Sequence, residues 1–175
     1  MAQNLPEPLK WALLIAVAGI TGFGLLTIGP TSHVEAEDRS PVIDVRSADA
    51  EMNTAIARAR GTLPAFWRSY DAPSSTETGH SLKVRFANSS NNGEHIWMAD
   101  VKRLGSGRYS GKFANEPRYL PGKHAGDVVE FREADISDWM YLRNDKIVGG
   151  ETLRPLLKSL PKADADALRA KLERP

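Results

Sequence analysis

The segment HSLKVRF at residues 80–86 decides the fold class of this chain. Its apolar residues occupy every second position: Leu82, Val84 and Phe86. This alternation is the pattern of a β-strand that buries one face. After a turn-rich loop, residues 94–102 read EHIWMADVK and are largely apolar on both faces, so they predict a second strand in the middle of a sheet.

Further strands and flanking helices follow from the same reading of the sequence. Four more segments predict strands: residues 108–114, 127–131, 136–142 and 146–148. Helices flank this block of consecutive strands instead of alternating with them. The predicted fold class is therefore α+β, with a mainly antiparallel sheet of about five to six strands between N-terminal and C-terminal helices.

The helix boundaries are predicted from capping and breaking residues. Ser47 is the expected cap of the first helix and Gly61 its expected end, followed by a short second helix over residues 63–67. Thr152 is the expected cap of a helix after the sheet. The last helix is predicted over residues 163–173, with Ala165, Leu168 and Leu172 on one side.

Residues 11–29, WALLIAVAGITGFGLLTIG, contain no charge. As a helix this run would cover roughly 28 Å, which is close to the hydrocarbon thickness of a bilayer. It predicts one N-terminal transmembrane helix in contact with lipid, through residues such as Trp11, Leu14, Phe23 and Leu26. The alternative is the apolar core of a signal peptide that is cleaved after Ala36.

The chain therefore divides into a tail and a membrane segment, followed by a linker and one folded domain. The predicted ranges are 1–10 for the tail, 11–29 for the membrane segment, 30–46 for the linker and 47–175 for a single α+β domain. A short N-terminal tail most often stays inside the cell, so the C-terminal domain is expected outside the cytoplasm. The expected location is the inner membrane, with one pass and the domain in the periplasm.

Composition excludes some classes of function. The chain has 23 Lys and Arg against 22 Asp and Glu, which gives a net charge of +1. A domain that binds a polyanion usually has a larger excess of positive charge, so nucleic acid is not an expected partner. Cysteine is absent, which excludes a thiol nucleophile and a disulfide framework.

Several short motifs together resemble the bacterial family called domain of unknown function 2314. They are ARAR at residues 57–60 with Phe66-Trp67, KVRF at 83–86, EHIW at 94–97, NEP at 115–117, Gly126-Asp127, ISDWMY at 136–141, and Gly149-Gly150 followed by Thr152 and Arg154. The resemblance runs from about residue 49 to residue 160. It implies one bacterial α+β unit, and it implies no established activity, cofactor or catalytic residue.

The histidines and carboxylates offer one candidate metal site. The candidate ligands are Glu94, His95, His124 and Asp127, with Asp135 and Asp138 as possible additions. Their spacing matches no ligand motif, and neighbouring residues of a strand point to opposite faces, which separates Glu94 from His95. No metal is therefore predicted, and His95 is expected to be a half-buried histidine beside Trp97.

The segment Ser137-Asp138-Trp139 has two interpretations. In the first, Trp139 and Tyr141 fill the core while Asp138 ties down a bulge or a turn. In the second, the two aromatic side chains wall a pocket with Asp138 at its mouth.

Charge is unevenly distributed along the chain. Residues 80–123 hold eight basic and three acidic residues, and residues 127–151 hold three basic and seven acidic residues. Neighbouring strands could pair these charges across the sheet. The alternative is a basic face that contacts an acidic partner, lipid headgroups or nucleic acid, formed by Lys83, Arg85, Arg103, Arg108, Lys112 and Arg118.

No nucleophile, phosphate-loop or metalloprotease motif is present, so the predicted function is a non-catalytic binding or regulatory domain that is membrane-anchored or exported. Its partners are the lipid bilayer, through residues 11–29, and a protein or small-molecule ligand, with no cofactor. The expected binding surface comprises Glu94, His95, Trp97, Asn115, Asp127, Asp138, Trp139 and Tyr141. The alternative is a hydrolase or metal-dependent enzyme that uses His95, His124, Asp127 and Asp138.

Overall fold

Six antiparallel strands form one sheet in the order β4-β3-β2-β1-β5-β6. The computed structural model describes residues 50–87 and 93–174. The strands are β1 Glu77–Phe86, β2 Glu94–Gly105, β3 Arg108–Phe113, β4 Val128–Arg132, β5 Ile136–Arg143 and β6 Lys146–Gly149. The helices are α1 Ala50–Asp71, α2 Leu153–Leu156 and α3 Lys162–Lys171, and a single 3₁₀ turn covers Glu133–Asp135. The predicted α+β class with an antiparallel sheet is confirmed.

Helices cover both faces of the sheet. On one face α1 packs over a core that includes Phe66, Leu82, Val84, Ile96, Met98, Ile136, Trp139 and Tyr141. On the other face the C-terminal helices cover a second core, formed by Trp97, Ala114, Met140, Leu142, Ile147, Leu153, Leu168 and Leu172. The strands β1 and β2 are central, which explains why β2 is apolar on both faces.

The first helix does not end at Gly61, contrary to the prediction from the sequence. It continues through Gly61 and Pro64 to Asp71 and absorbs the predicted second helix. An interior glycine costs roughly 1 kcal/mol and an interior proline about 3 kcal/mol relative to alanine. Buried residues on one side of the helix outweigh this cost, because their spacing of three and four continues across Gly61: Ala55, Ala59, Leu63 and Phe66.

Thr152 precedes α2, as predicted, but its side chain makes no capping hydrogen bond within the described residues. Its hydroxyl donates instead to a carboxylate oxygen of Asp138. Just before this turn the chain passes close to Trp139 at Gly149, where the φ is +79° and a Cβ would overlap the backbone oxygen of Trp139.

The membrane segment, with Trp11, Leu14, Phe23 and Leu26, lies outside the described residues, as do the linker and Ser47. Among the residues that the structure describes, no helix is both long enough and apolar enough to cross a bilayer.

Candidate functional site

A long loop connects β3 to β4, and its two ends lie close together. We call residues 114–127 the β3–β4 loop. The N–H of Ala114 donates to the carbonyl of Trp97 at 2.8 Å, and the N–H of Gly126 donates to the carbonyl of Phe113 at 2.8 Å. The loop therefore has the form of a compact surface loop with closed ends, a type that is frequently functional.

Glu94 fixes the middle of the β3–β4 loop. Its side chain is buried, and its two oxygens accept the N–H groups of Arg118 at 2.8 Å and Tyr119 at 2.9 Å. A buried carboxylate is tolerated only where hydrogen bonds replace its hydration, and here the loop backbone supplies them. The same contact fixes the positions of two residues that are themselves exposed.

A second carboxylate, that of Glu116, holds the C-terminal half of the loop. One oxygen of Glu116 lies 2.8 Å from Nδ1 of His124, and the other accepts the N–H of Ala125 at 2.8 Å. These two hydrogen bonds hold the pKa of Glu116 below its usual value, with the Ala125 N–H as the larger cause. Asp127 accepts the N–H of His124 at 2.9 Å, so the loop is held in one shape along its length.

The β3–β4 loop presents basic and aromatic groups to solvent. Tyr119 is 55% exposed, and Arg118, Lys123 and His124 are exposed beside it in the sequence. Leu120 faces inward and packs against the core under α1. The result is a pre-shaped surface that presents one tyrosine and two cations, with the carboxylates of Glu116 and Asp127 bound to the loop's own N–H groups.

A different set of polar residues lies on the sheet face that the C-terminal helices partly cover. Lys83 pairs with Trp97 and Arg85 pairs with His95 across β1 and β2. Nδ1 of His95 lies 2.8 Å from the hydroxyl oxygen of Ser137. Burial, and then the charges of Lys83, Arg85 and Arg60, lower the pKa of His95 to about 4. The expected half-buried histidine beside Trp97 is confirmed.

Asp138 is fully buried beneath the turn that precedes α2. Its oxygens accept hydrogen bonds from the N–H groups of Trp139, Glu151 and Thr152 and from the Thr152 hydroxyl, at 2.7–3.2 Å. Burial raises the pKa of Asp138, against the hydrogen bonds from Thr152 and the charge of Lys83. Asp138 thus ties a turn to β5, as the first interpretation of this segment predicts.

Trp139 and Tyr141 belong to the core under α1, where Nε1 of Trp139 donates to the carbonyl of Ala59 at 2.9 Å. Asp138 binds the turn before α2 instead, and its neighbour Met140 belongs to the opposite core. The predicted pocket, with aromatic walls and Asp138 at its mouth, is therefore wrong, because alternation sends these side chains to opposite faces.

The candidate metal ligands and the residues of the alternative hydrolase site do not come together in one site. His95 contacts Ser137, Asp138 binds Thr152, and His124 with Asp127 stays within the β3–β4 loop. Glu94 binds the loop backbone and Asp135 accepts the N–H of Arg132. No group of three or more potential metal-ligating side chains occurs within the described parts of the chain.

The predicted binding surface is only partly accessible. Glu94, Trp97, Asp138, Trp139 and Tyr141 are buried, whereas His95, Asn115 and Asp127 are partly exposed. Asn115 and Asp127 lie at the two ends of the β3–β4 loop. Whether these residues bind a partner stays a prediction, and the accessible part of the surface is His95 on β2 and the two ends of the loop.

Three of the six residues of the predicted basic face are paired, and two of these pairs join neighbouring strands, as the first interpretation of the charges expects. Arg108 pairs with Glu130 of β4, and Lys112 pairs with Asp100 of β2 at 2.8 Å. Arg103 pairs with Asp71 at the end of α1. These three cations therefore belong to separate ion pairs instead of one surface.

Sequence reasoning missed a serine–histidine contact at the far end of the sheet. The hydroxyl of Ser69 donates to Glu77 at 2.9 Å and lies 2.7 Å from Nε2 of His80. The Ser69 hydroxyl therefore links the Glu77 carboxylate to the His80 ring. This network ties the end of α1 to β1, and no local pattern indicates it, because its members are separated along the chain.

Comparison with known proteins gives one family and two curated relatives. The family model that matches residues 49–172 is described as an uncharacterized protein conserved in bacteria, DUF2314. The Escherichia coli protein YegJ, described as uncharacterized, is 46% identical over 81 residues, which are 46% of this chain and 52% of YegJ. A putative ankyrin repeat protein of Neisseria meningitidis is 33% identical over 124 residues, 67% of this chain and 49% of that protein.

The chain thus spans about half the length of the curated relatives that it matches. No solved structure matches it.

Proposed function

We propose that this domain, which belongs to the bacterial family of uncharacterized proteins DUF2314, binds a protein partner without catalysing a reaction. The β3–β4 loop is the proposed recognition element, with Tyr119 and the neighbouring cations as its contact groups. The proposal keeps the loop and the start of β2 from the predicted surface. It assigns the buried residues Trp97, Asp138, Trp139 and Tyr141 to the scaffold.

The observation that carries this proposal is the contact of Glu94 with the loop backbone. Ordering a residue costs roughly 1–2 kcal/mol of backbone entropy, and burying a carboxylate adds a further cost that its hydrogen bonds must offset. Much of the loop that is ordered in this way is exposed and adds little to the core. What the contact provides is a fixed shape, which reduces the entropy that is lost when a partner binds.

The exposed chemistry of the loop favours an acidic protein surface as partner. Arg118, Tyr119 and Lys123 are exposed on a loop instead of lining a cavity. Small molecules generally bind in concave, mostly apolar pockets. Tyrosine and arginine, in contrast, are enriched at the centres of protein interfaces.

The proposal includes attachment to a membrane or export through it. Its support is the uncharged run of residues 11–29, which is long enough for one bilayer crossing. We propose that the run either anchors the domain or serves as an export signal, and that the domain meets its partner outside the cytoplasm.

A photo-crosslinking amino acid at position 119 tests the proposed binding. The full chain with the crosslinker is expressed in cells and irradiated, and adducts are separated by size. The matched control carries the crosslinker at Leu104, which is 47% exposed at the end of β2. We expect a discrete adduct from position 119, absent from position 104 and reduced by Glu94→Gln. The same adducts at both positions, or none at 119, would contradict the proposal.

A further inference from the structure

We propose that the sheet face around Lys83, Arg85 and His95 is a binding site for an oxyanion, either a phosphate or a carboxylate group carried by a ligand. This goes beyond the proposed function, because it assigns a ligand class to residues outside the β3–β4 loop. It rests on an incompletely paired cation, on converging positive charge and on an adjacent aromatic ring.

Lys83 is the first part of the argument. Its ammonium makes one hydrogen bond, at 3.2 Å to the hydroxyl oxygen of Thr152. Within the described residues it has no carboxylate at ion-pair distance, and at least one of its three N–H bonds lacks an acceptor. Burial lowers the pKa of Lys83. A partly buried cation with no carboxylate at ion-pair distance is unfavourable in the free protein, and an anion in direct contact with it would reduce that cost.

The nearest carboxylate does not fill this role. Asp138 is the cross-strand partner of Lys83 on β5, and its charge raises the pKa of Lys83. Its two oxygens already accept hydrogen bonds from Trp139, Glu151 and Thr152, which occupy its acceptor positions. Asp138 is therefore committed to the turn before α2, and Lys83 keeps an N–H for a ligand.

Two further groups complete the site. Arg85 lies two residues from Lys83 on the same face of β1, is exposed, and carries the forked donors that suit phosphate and carboxylate. His95 pairs with Arg85 and is partly exposed. Lys83 Nζ lies 5.6 Å from the ring centroid of Trp97, which forms an apolar wall beside the ammonium.

This proposal is tested by adding inorganic phosphate or acetate to the full chain. Sodium chloride at the same ionic strength is the control. We expect one of them to raise the Tm in a saturable way and to raise the pKa of His95, observed through its ring resonances. The pKa of His95 rises because the negative charge of the anion offsets the positive charges of Lys83 and Arg85 on β1 and of Arg60 on α1. Asp138 on β5 does not contribute to this change. The anion that saturates, phosphate or acetate, identifies the group that is recognised.

Variants decide between this site and a general salt effect. Arg85→Gln changes an exposed side chain and should fold, and it should weaken the affinity by about tenfold or more, since one charged hydrogen bond is lost. Lys83→Met keeps the side-chain volume and should abolish the response. The control is Lys112→Met, because Lys112 is exposed and pairs with Asp100, and it should respond like the wild type. An equal response to chloride, no response to either anion, or an unchanged response in Arg85→Gln would overturn the proposal.

Discussion

At the scale of single residues, Glu94 and Asp138 have the same structural role. Each is a buried carboxylate on a strand, and each accepts backbone N–H groups from a segment that lies outside the sheet. Glu94 fixes the β3–β4 loop, and Asp138 fixes the turn before α2. Buried carboxylates thus serve to position loops in this domain, and every carboxylate oxygen of these two acids accepts at least one backbone N–H.

Asp138→Asn should destabilise the domain by about 1–3 kcal/mol, because an amide nitrogen would face N–H donors that now meet a carboxylate oxygen. Urea denaturation monitored by tryptophan fluorescence measures this change in the free energy of unfolding. The matched control is Asp145→Asn, since Asp145 is exposed and has a φ of +60°, which asparagine adopts readily. Equal stability of the two variants would show that the turn does not depend on Asp138.

His95 should make the stability of the domain depend on pH. Its pKa of about 4 in the folded protein lies below the usual value of 6.5, so the unfolded chain binds more protons between these values. The contribution of His95 is therefore complete above about pH 6.5 and is lost as the pH falls towards 4. Denaturation at several pH values should show a smaller loss for His95→Gln than for the wild type. Parallel profiles for the two proteins would contradict the assignment.

At the residue scale, the sequence predicts which face of a strand a side chain occupies but not what it binds. The opposite orientation of Glu94 and His95 follows from strand alternation, and the structure confirms it. The hydrogen-bond partners of Glu94 lie 24 and 25 residues away, and those of Asp138 in the turn lie 13 and 14 residues away. No local pattern encodes such contacts, so the structural roles of these acids could not be predicted.

At the scale of elements, the strands were easier to predict than the helix ends. All six strands were predicted to within a few residues, β1 from its alternation and β2 from a run that is apolar on both faces. The end of α1 was wrong, since its buried stripe continues through Gly61 and overrides the local preference of glycine. Glycine therefore predicts a helix end only where the apolar stripe also ends.

Gly61→Ala should stabilise the domain by roughly 0.5–1 kcal/mol, because alanine has less backbone freedom to lose on folding. A Cβ at this position meets nothing within 4 Å. Thermal and urea denaturation measure the effect.

The contrasting variant is Gly149→Ala. Gly149 has a φ of +79°, and a Cβ there would overlap Trp139, so this substitution should destabilise the domain. If both substitutions changed the stability in the same direction, the account of the turn before α2 would be wrong.

At the scale of the whole molecule, the sheet is a scaffold between two helical layers. The C-terminal segment extends the second layer along β6, where Leu172 bridges to Ile147 and the N–H of Glu173 donates to the carbonyl of Ile147 at 2.8 Å. The layered core was predictable in outline from the flanking helices. The order of the strands was not, because β5 returns to pair with β1 beyond the β2–β4 hairpins.

The proposed export is tested with a tag after Pro175 and with protease added to intact spheroplasts. We expect the tag to be lost before the membrane is broken, because the domain is proposed to lie outside the cytoplasm. The size of the untreated protein separates an intact anchor from cleavage after Ala36. Survival of the tag until lysis would place the domain in the cytoplasm and contradict this part of the proposal.

The central claim is that Glu94 pre-orders the β3–β4 loop for recognition, and amide hydrogen exchange at Arg118 and Tyr119 tests it most directly. Both amides donate to Glu94 in the free protein, so they should exchange slowly despite the exposure of their side chains. In Glu94→Ala they should exchange rapidly, while the amides of β1 and β5 keep their protection. Rapid exchange of both amides in the wild-type protein would show that the loop is not pre-ordered and would contradict the account.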